Sequence, residues 1–295
     1  MSVAAAQAPS RADTLRACLW MLGSIASFTS MAVAGRAVSL QLDTFEIMLY
    51  RSVVGVIVVL SLATLTGSIR TVTTRDLPLQ IGRNIAHFTG QNLWFLAITM
   101  VPLAQVFALE FTSPLWVLLL APLLLGERVR TAQYLVAAIG FGGVLLVARP
   151  FDGSVHPGLI WAGLAALAFA VTNLLTRRLT RSQTVTGILF WLTLLQLVFG
   201  LICAGFDGDI ALPDAAALPW TVLIGIAGLT AHFCLTNALR LAPASTIMPV
   251  DFARLPIVAV IGAAFYAEPL DPLVLLGGAV VFVAAWANLR IADRS

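Results

Sequence analysis

The residues with the clearest chemical potential are acids, bases and amides embedded in strongly apolar sequence. Glu110 and Asp251 each stand eight residues past a proline, Pro102 and Pro243 respectively. A helix that starts at such a proline carries its eighth residue about 12 Å deep, at a rise of about 1.5 Å per residue. That depth is close to the middle of a hydrocarbon core roughly 30 Å thick. Ionisable groups placed there are costly and mark either a solute pathway or a buried structural bond. Arg254 follows Asp251 by one helical turn on the same face. Two readings stay open for it: a local ion pair that neutralises both charges, or a forked donor for a solute carboxylate while Glu110 or Asp251 takes an ammonium.

A second constellation lies on one helix face. Arg83, His87, Gln91 and Trp94 recur at spacings of four, four and three, with Asn84 beside them. Such a polar and aromatic stripe is expected to face the inside of a bundle. His232, Thr236 and Arg240 repeat the spacing of four further along, with Asn237 next to Thr236. For the histidines, structural hydrogen bonding and cavity lining are both open. Arg83 and Arg240 fall close to helix ends, where arginines snorkel. Ser24, Ser27, Thr29 and Ser30, and later Thr172 and Asn173, are small polar residues whose commoner use is close helix packing. Pro114, Pro122, Pro249 and Pro256 are expected to free carbonyls and bend the helices that carry the two acids.

Other chemistries find no support. Cys18, Cys203 and Cys234 form no C-x-x-C pair and have no paired histidines nearby, so no metal or redox site is expected. No Walker motif, zinc-binding helix, nucleophile elbow or dinucleotide fingerprint is present. All seventeen basic residues are arginine, and no run of them suggests nucleic acid as a partner. No cofactor is expected, and no enzyme activity.

The elements that must position these groups follow from composition. With 60% hydrophobic and 11% charged residues and a mean hydropathy of +0.97, most of the outside must meet lipid. The expected fold is all-α and integral to the membrane. Ten candidate transmembrane helices run over 15–37, 44–66, 77–99, 102–124, 131–149, 157–177, 184–206, 216–240, 244–266 and 271–290. Residues 1–14 form an N-terminal tail with no removable signal peptide. The connections are short, so function must be built inside the bundle. Arginine placement puts both termini in the cytoplasm, with Arg36, Arg51 and Arg149 on the opposite side.

Sliding the chain against itself by 141 residues, the separation of Trp20 from Trp161, pairs rare residue types over most of its length. Phe28 meets Phe169, Arg36 meets Arg177, Pro78 meets Pro219, Pro102 meets Pro243, Glu110 meets Asp251, and Glu127 meets Glu268. Two five-helix repeats are expected, 15–149 and 157–291, acting as one unit. Five is odd, so the second copy enters the membrane inverted, which suits alternating access around a midplane site.

The segments Leu96–Ala104 (LAITMVPLA) and Thr112–Trp116 (TSPLW), then Gly126, Glu127 and Arg128, carry a family resemblance. A degenerate second copy runs over Ala238–Thr246 (ALRLAPAST) and continues at Ala267, Glu268 and Pro269. Over 15–291 the chain resembles the EamA-type exporters of the drug/metabolite transporter superfamily, nearest the branch that exports aromatic amino acids and methyl viologen. It departs from the family's usual glycine at Ala267. The resemblance implies export of amino acids, nucleosides or organic cations across a bacterial inner membrane.

The expected function is secondary transport of a small organic solute by alternating access. The proposed contacts are Glu110, Asp251, Arg254, Asn84, His87, Gln91, Trp94, His232 and Asn237. Pro102, Pro114, Pro243, Pro256, Glu127 and Glu268 are expected to serve gating or structure. The expected partners are the solute, the bilayer and, in one version, protons, with the chain a monomer or homodimer. Proton exchange and facilitated diffusion are both open, because a desolvated carboxylate titrates readily. The alternatives are an exporter of nucleosides or other metabolites, or a non-transporting membrane sensor or assembly protein, against which the short connections count; a lipid-handling membrane enzyme would need a nucleophile or metal cluster near an interface, and the sequence shows none.

Overall fold

A computed structural model describes residues 10–126, 129–149, 155–206, 208–243 and 247–292. Among them every regular element is helical. The α-helices are α1 (Arg11–Val38), α2 (Thr44–Leu65), α3 (Leu77–Met100), α4 (Leu103–Glu110), α5 (Ser113–Leu125) and α6 (Thr131–Ala148). They continue with α7 (Pro157–Leu179), α8 (Val185–Ala204), α9 (Leu218–Leu241), α10 (Arg254–Tyr266) and α11 (Pro272–Ala292). Short 3₁₀ segments cover Ser68–Thr71 and Met248–Ala253.

Local sequence explains the boundaries. Ser10 caps α1 by accepting from the Asp13 N–H, so the helix begins four residues earlier than hydropathy alone suggests. Asp43 and Glu46 form a reciprocal capping box at the start of α2. Prolines stand in the first two positions of α3, α5, α7 and α9, where a missing N–H costs nothing.

The expected fourth and ninth spans are not single helices. The fourth breaks after Glu110 into α4 and α5, because Pro114 has no N–H to offer the Glu110 carbonyl. The Thr112 N–H instead reaches back to the Leu109 carbonyl at 2.9 Å. In the ninth, the 3₁₀ turn at Met248–Ala253 precedes α10. Residues 244–246, where that span was expected to begin, lie outside the described residues, as does Glu127.

Six stretches are long and apolar enough to cross a membrane: α1, α2, Leu103–Leu125, α7, α8 and α9. The helices α6, α10 and α11 contribute shorter apolar stretches. α3 is long but falls outside this group, since Gln80, Arg83, Asn84, His87 and Gln91 lower its hydropathy while lying buried in the bundle. The outside is studded with exposed Leu, Ile and Phe, including Leu19, Leu62, Leu135, Ile202 and Phe265. This is the surface of a multi-pass membrane protein.

Helix boundaries recur at the 141-residue offset. α3 and α9 are both 24 residues long and start at equivalent positions, and α5 and α10, both 13 residues long, do the same. Packing exchanges the copies: α1 lies along α9, and α7 along α3, while α2 packs on α8 and α6 on α11. The 141-residue offset that carries each helix onto its counterpart therefore carries these contacts onto themselves. Both α5 and α10 end in a left-handed turn, through Gly126 with φ of 66° and through Ala267 with φ of 52°.

The principal core gathers where these elements meet, with Met31, Trp94, Phe95, Ile98, Leu103, Phe107 and Phe111 packed together. A smaller cluster, with Ala17, Met21, Leu235, Ala238 and Leu239, closes α1 against α9 through small residues that let backbones approach.

Candidate functional site

A chamber of about 50 Å³ lies between the exchanged helix pairs. Its walls come from α1, α3 and α5, from the end of α4, and from α7, α9, the 3₁₀ turn and the start of α10. This volume accommodates a few water molecules, so an organic solute enters only if the walls part. A second pocket, about 370 Å³ between α2, α8 and α9, is roomier but is lined mainly by Val58, Leu62, Val185, Leu189 and Leu229, with no ionisable group. Convergent polar chemistry, not volume, selects the smaller chamber.

The charged wall is built by the helix break. Glu110 ends α4, and Asp251 sits in the turn before α10. Arg254, at the first position of α10 and 2% exposed, reaches both: its Nη2 donates to Glu110 Oε1 at 2.6 Å and to Asp251 Oδ2 at 2.5 Å. Trp94 Nε1 donates to the other Glu110 oxygen at 2.7 Å. The Arg254 guanidinium lies over the rings of Phe107, Phe28 and Phe111, at 4.9, 5.1 and 5.5 Å. Removal from water is offset here by two opposite charges and three ring faces. The local ion pair expected from spacing exists, but it is three-way and spans positions 144 residues apart. Two carboxyl groups thus share one guanidinium on the chamber wall. Asp251 Oδ1 has no hydrogen-bond partner.

Two histidines meet elsewhere on the wall. His87 on α3 and His232 on α9 meet edge to face, with ring centroids 4.6 Å apart. Phe28 packs edge-on to His232 at 5.5 Å, and Phe169 tilts against His87 at 6.2 Å. The two phenylalanines are partners under the 141-residue repeat and enter from α1 and α7. Both ring nitrogens of His87, Nε2 of His232, Oε1 of Gln91 and the Ser24 and Ser113 hydroxyls lack partners. They are the groups free to bond a solute.

Of the residues expected at a solute site, Glu110, Asp251, Arg254, His87, Gln91, Trp94 and His232 line the chamber. Asn84 does not: it is fully buried behind it, donating to the Gln80 carbonyl at 2.8 Å and accepting from Gln196. Asn237 points away on α9 and bonds its own helix at the Phe233 carbonyl. Pro114 lines the wall, and Pro102 caps α4. Pro243 accepts from the Ile247 N–H at 3.1 Å, and Pro256 falls in the first turn of α10. Spacing did not single out Phe28, Phe169, Met21 or Met31. The repeat pairing of Phe28 with Phe169 was the one available signal.

Glu268 forms a latch away from the chamber. Arg36, at the end of α1, pairs with it. Its two oxygens accept from the Leu103 N–H at 3.1 Å each, and Arg36 also donates to the Val101 carbonyl at 3.2 Å. Three elements, α1, the start of α4 and the end of α10, are thus tied at one end of the bundle.

An apolar multi-helix bundle enclosing a polar and aromatic chamber, with wall groups drawn from both ends of the chain, defines a membrane transport protein. The chain belongs to the EamA-like transporter family, whose model matches residues 15–149 and again 156–290. This bears out the resemblance read from the motifs. A riboflavin transporter of Rhizobium johnstonii is 31% identical over 68% of this chain and 66% of its own length. An S-adenosylmethionine uptake transporter of Rickettsia conorii is 24% identical over 90% and 88%. A pseudopaline exporter of Pseudomonas aeruginosa is 27% identical over 92% and 95%. A solved structure described only as a protein matches the fold with a TM-score of 0.72 at 17% identity, over 94% of this chain and 98% of that one. The chain is a small-solute membrane transporter.

Proposed function

We propose that the protein carries a solute with a flat conjugated ring and a cationic group, by alternating access between the inverted repeats 15–149 and 157–291. The observation that carries this reading is the chamber's two-sided chemistry. Phe28 and Phe169 line it with rings from opposite halves, and the Glu110–Arg254–Asp251 cluster brings two carboxyl groups and one guanidinium to the same space. A ring stacks on the first, and a cation or a proton balances the second. Competition between those two for one site gives solute–proton exchange. Aromatic amino acids and methyl viologen both combine a ring with a positive charge, and so does S-adenosylmethionine, the solute named for one relative. Riboflavin, named for another, supplies the ring without the charge.

In this reading the chain crosses a bacterial inner membrane ten times with both termini in the cytoplasm. α4 with α5, and the Met248–Ala253 turn with α10, form one interrupted crossing each. Support comes from the recurrence of helix boundaries at the 141-residue offset and the exchanged packing of α1 on α9 and α7 on α3. The Arg36–Glu268 latch holds one end shut, in agreement with the small chamber volume.

Purified protein in proteoliposomes, offered radiolabelled methyl viologen, S-adenosylmethionine, tryptophan and riboflavin, tests the proposal. At least one ring-bearing cation is expected to accumulate against an imposed proton gradient. Glu110→Gln is expected to slow cation transport about tenfold, equivalent to about 1.4 kcal/mol, and to affect riboflavin less. Accumulation of none of the four by folded protein, under a proton gradient in either direction, would reject the solute class.

A further inference from the structure

The 141-residue repeat gives each buried position a partner with which to compare it, and two positions break the pattern with a charge. Arg51 on α2 corresponds to Leu192 on α8, and Arg83 on α3 corresponds to Ile224 on α9. Sequence placed Arg51 on the outer face and Arg83 as a snorkelling anchor at a helix end. Arg83 is 1% exposed, which overturns the snorkelling reading, and Arg51 is 5% exposed; both lie inside the packing of the bundle. Each lies two turns along its helix, too deep for its head to reach water once the neighbouring helices close over it.

Neither has a counter-charge among the described residues. Arg83 Nε donates to the Thr176 hydroxyl at 3.0 Å and Nη1 to Asn84 Oδ1 at 3.3 Å, both neutral acceptors. Arg51 reaches only the Met48 sulfur, at 3.8 Å, and its Nε has no partner. The carboxylates nearest in sequence on those elements are used elsewhere. Glu46 accepts from the Asp43 and Ala211 N–H groups, and Asp76 accepts from Ser182 and Gln183. Positive charges without a counter-charge are costly in a membrane interior.

A small internal space lies against Arg51. Ser52, Thr193 and Gln196 contribute polar atoms to it, Gly55 and Gly225 contribute backbone, and its volume is about 10 Å³. That is room for one water-sized body. Gln196 donates to Asn84, which in turn accepts from Arg83, so both arginines border the same polar cluster. Gly228, one turn before His232, leaves the room in which the Arg51 guanidinium lies: a Cβ there would fall 2.5 Å from its Nε.

We propose that one monatomic monovalent anion, of chloride size, binds at this internal space, held by Arg51 on its wall and by Arg83 behind Asn84 and Gln196. The anion supplies the counter-charge that the chain does not, and it sits behind the His87–His232 wall instead of in the solute chamber. The site is independent of which solute the chamber takes.

The test is a stability titration of the full chain in non-ionic detergent, at constant ionic strength in sodium gluconate. Chloride, formate and benzoate are added separately, and unfolding is followed by tryptophan fluorescence. Chloride is expected to raise the Tm saturably by about 5 °C, while formate acts more weakly and benzoate, too large for the space, leaves it unchanged. Arg51→Leu and Arg83→Ile install the residues found at the repeat partners. Both are expected to abolish the response while melting no lower than the wild type in gluconate. Arg51→Lys, which keeps the charge on a shorter head, is expected to fold and to weaken the response at least tenfold. A wild type without a saturable anion response overturns the proposal. So does a response unchanged in all three variants, or one given by benzoate alone, which would place the anion in the solute chamber.

Discussion

The Glu110–Arg254–Asp251 cluster and the Arg51–Arg83 pair lie in the same bundle, yet only the first carries its own counter-charges. In the first, the repeat supplies an acid from each half, and one arginine from the second half bridges them under three aromatic rings. In the second, both charges have the same sign, both belong to the first half, and their repeat partners are aliphatic. A charge kept at a position where the duplicated chain manages with leucine or isoleucine is not required by the scaffold. The balanced cluster, by contrast, is where the two halves are pinned together, so its loss and the loss of the pair should differ in sign.

Four substitutions bear on that difference, the strongest first. Arg254→Leu strands two carboxylates side by side and is expected to cost about 3–5 kcal/mol of unfolding free energy, read from denaturant melts in detergent. Arg51→Leu under the same chloride-free conditions should cost nothing or stabilise; equal losses in both would erase the contrast. Trp94→Phe keeps an aromatic ring but removes the Nε1–H that Glu110 accepts at 2.7 Å. A hydrogen bond to a charged group is worth about 1.5–3 kcal/mol, so a clear drop in Tm is expected, with the chloride response of the Arg51 core untouched. Gly228→Ala pushes a methyl into the space of the Arg51 guanidinium. The expected cost is about 1 kcal/mol, joined by a weakened chloride response. An unchanged response would mean that Arg51 moves aside without consequence.

Much of the scaffold was legible in the sequence because membrane spans announce themselves by length and repeats by register. The starts of α2, α3, α6 and α7 fall where proline, capping residues and arginine place them. The break after Glu110 was visible only as a proline at position 114, since hydropathy runs unbroken from Leu103 to Leu125. That break turns Glu110 toward Arg254, so the cross-half ion pair could not be read from a spacing of three within one helix. Face patterns were also insufficient for the α3 stripe. Asn84 and His87 both follow the stripe, yet Gln196 of α8 captures the first and only the second reaches the chamber. Arg83 looked like an anchor because position along a helix says nothing of what covers it. The aromatic pair Phe28 and Phe169 carried no signal in composition, for phenylalanine is ordinary in any membrane helix.

The ends of α5 and α10 carry a last asymmetry. Where the first half has Ala121 within the helix and Gly126 at its left-handed end, the second has Gly262 within the helix and Ala267 at the end. The two residue types have changed places. An alanine held at φ of 52° is strained, but Gly262 opens a niche beneath the helix into which the Glu268 carboxylate folds, and a Cβ at 262 would overlap that carboxylate. Gene conversion that copied the first half over the second would relieve the turn and evict the carboxylate in a single event, unlatching Arg36. The strained turn and the latch are thus coupled through one pair of exchanged residues.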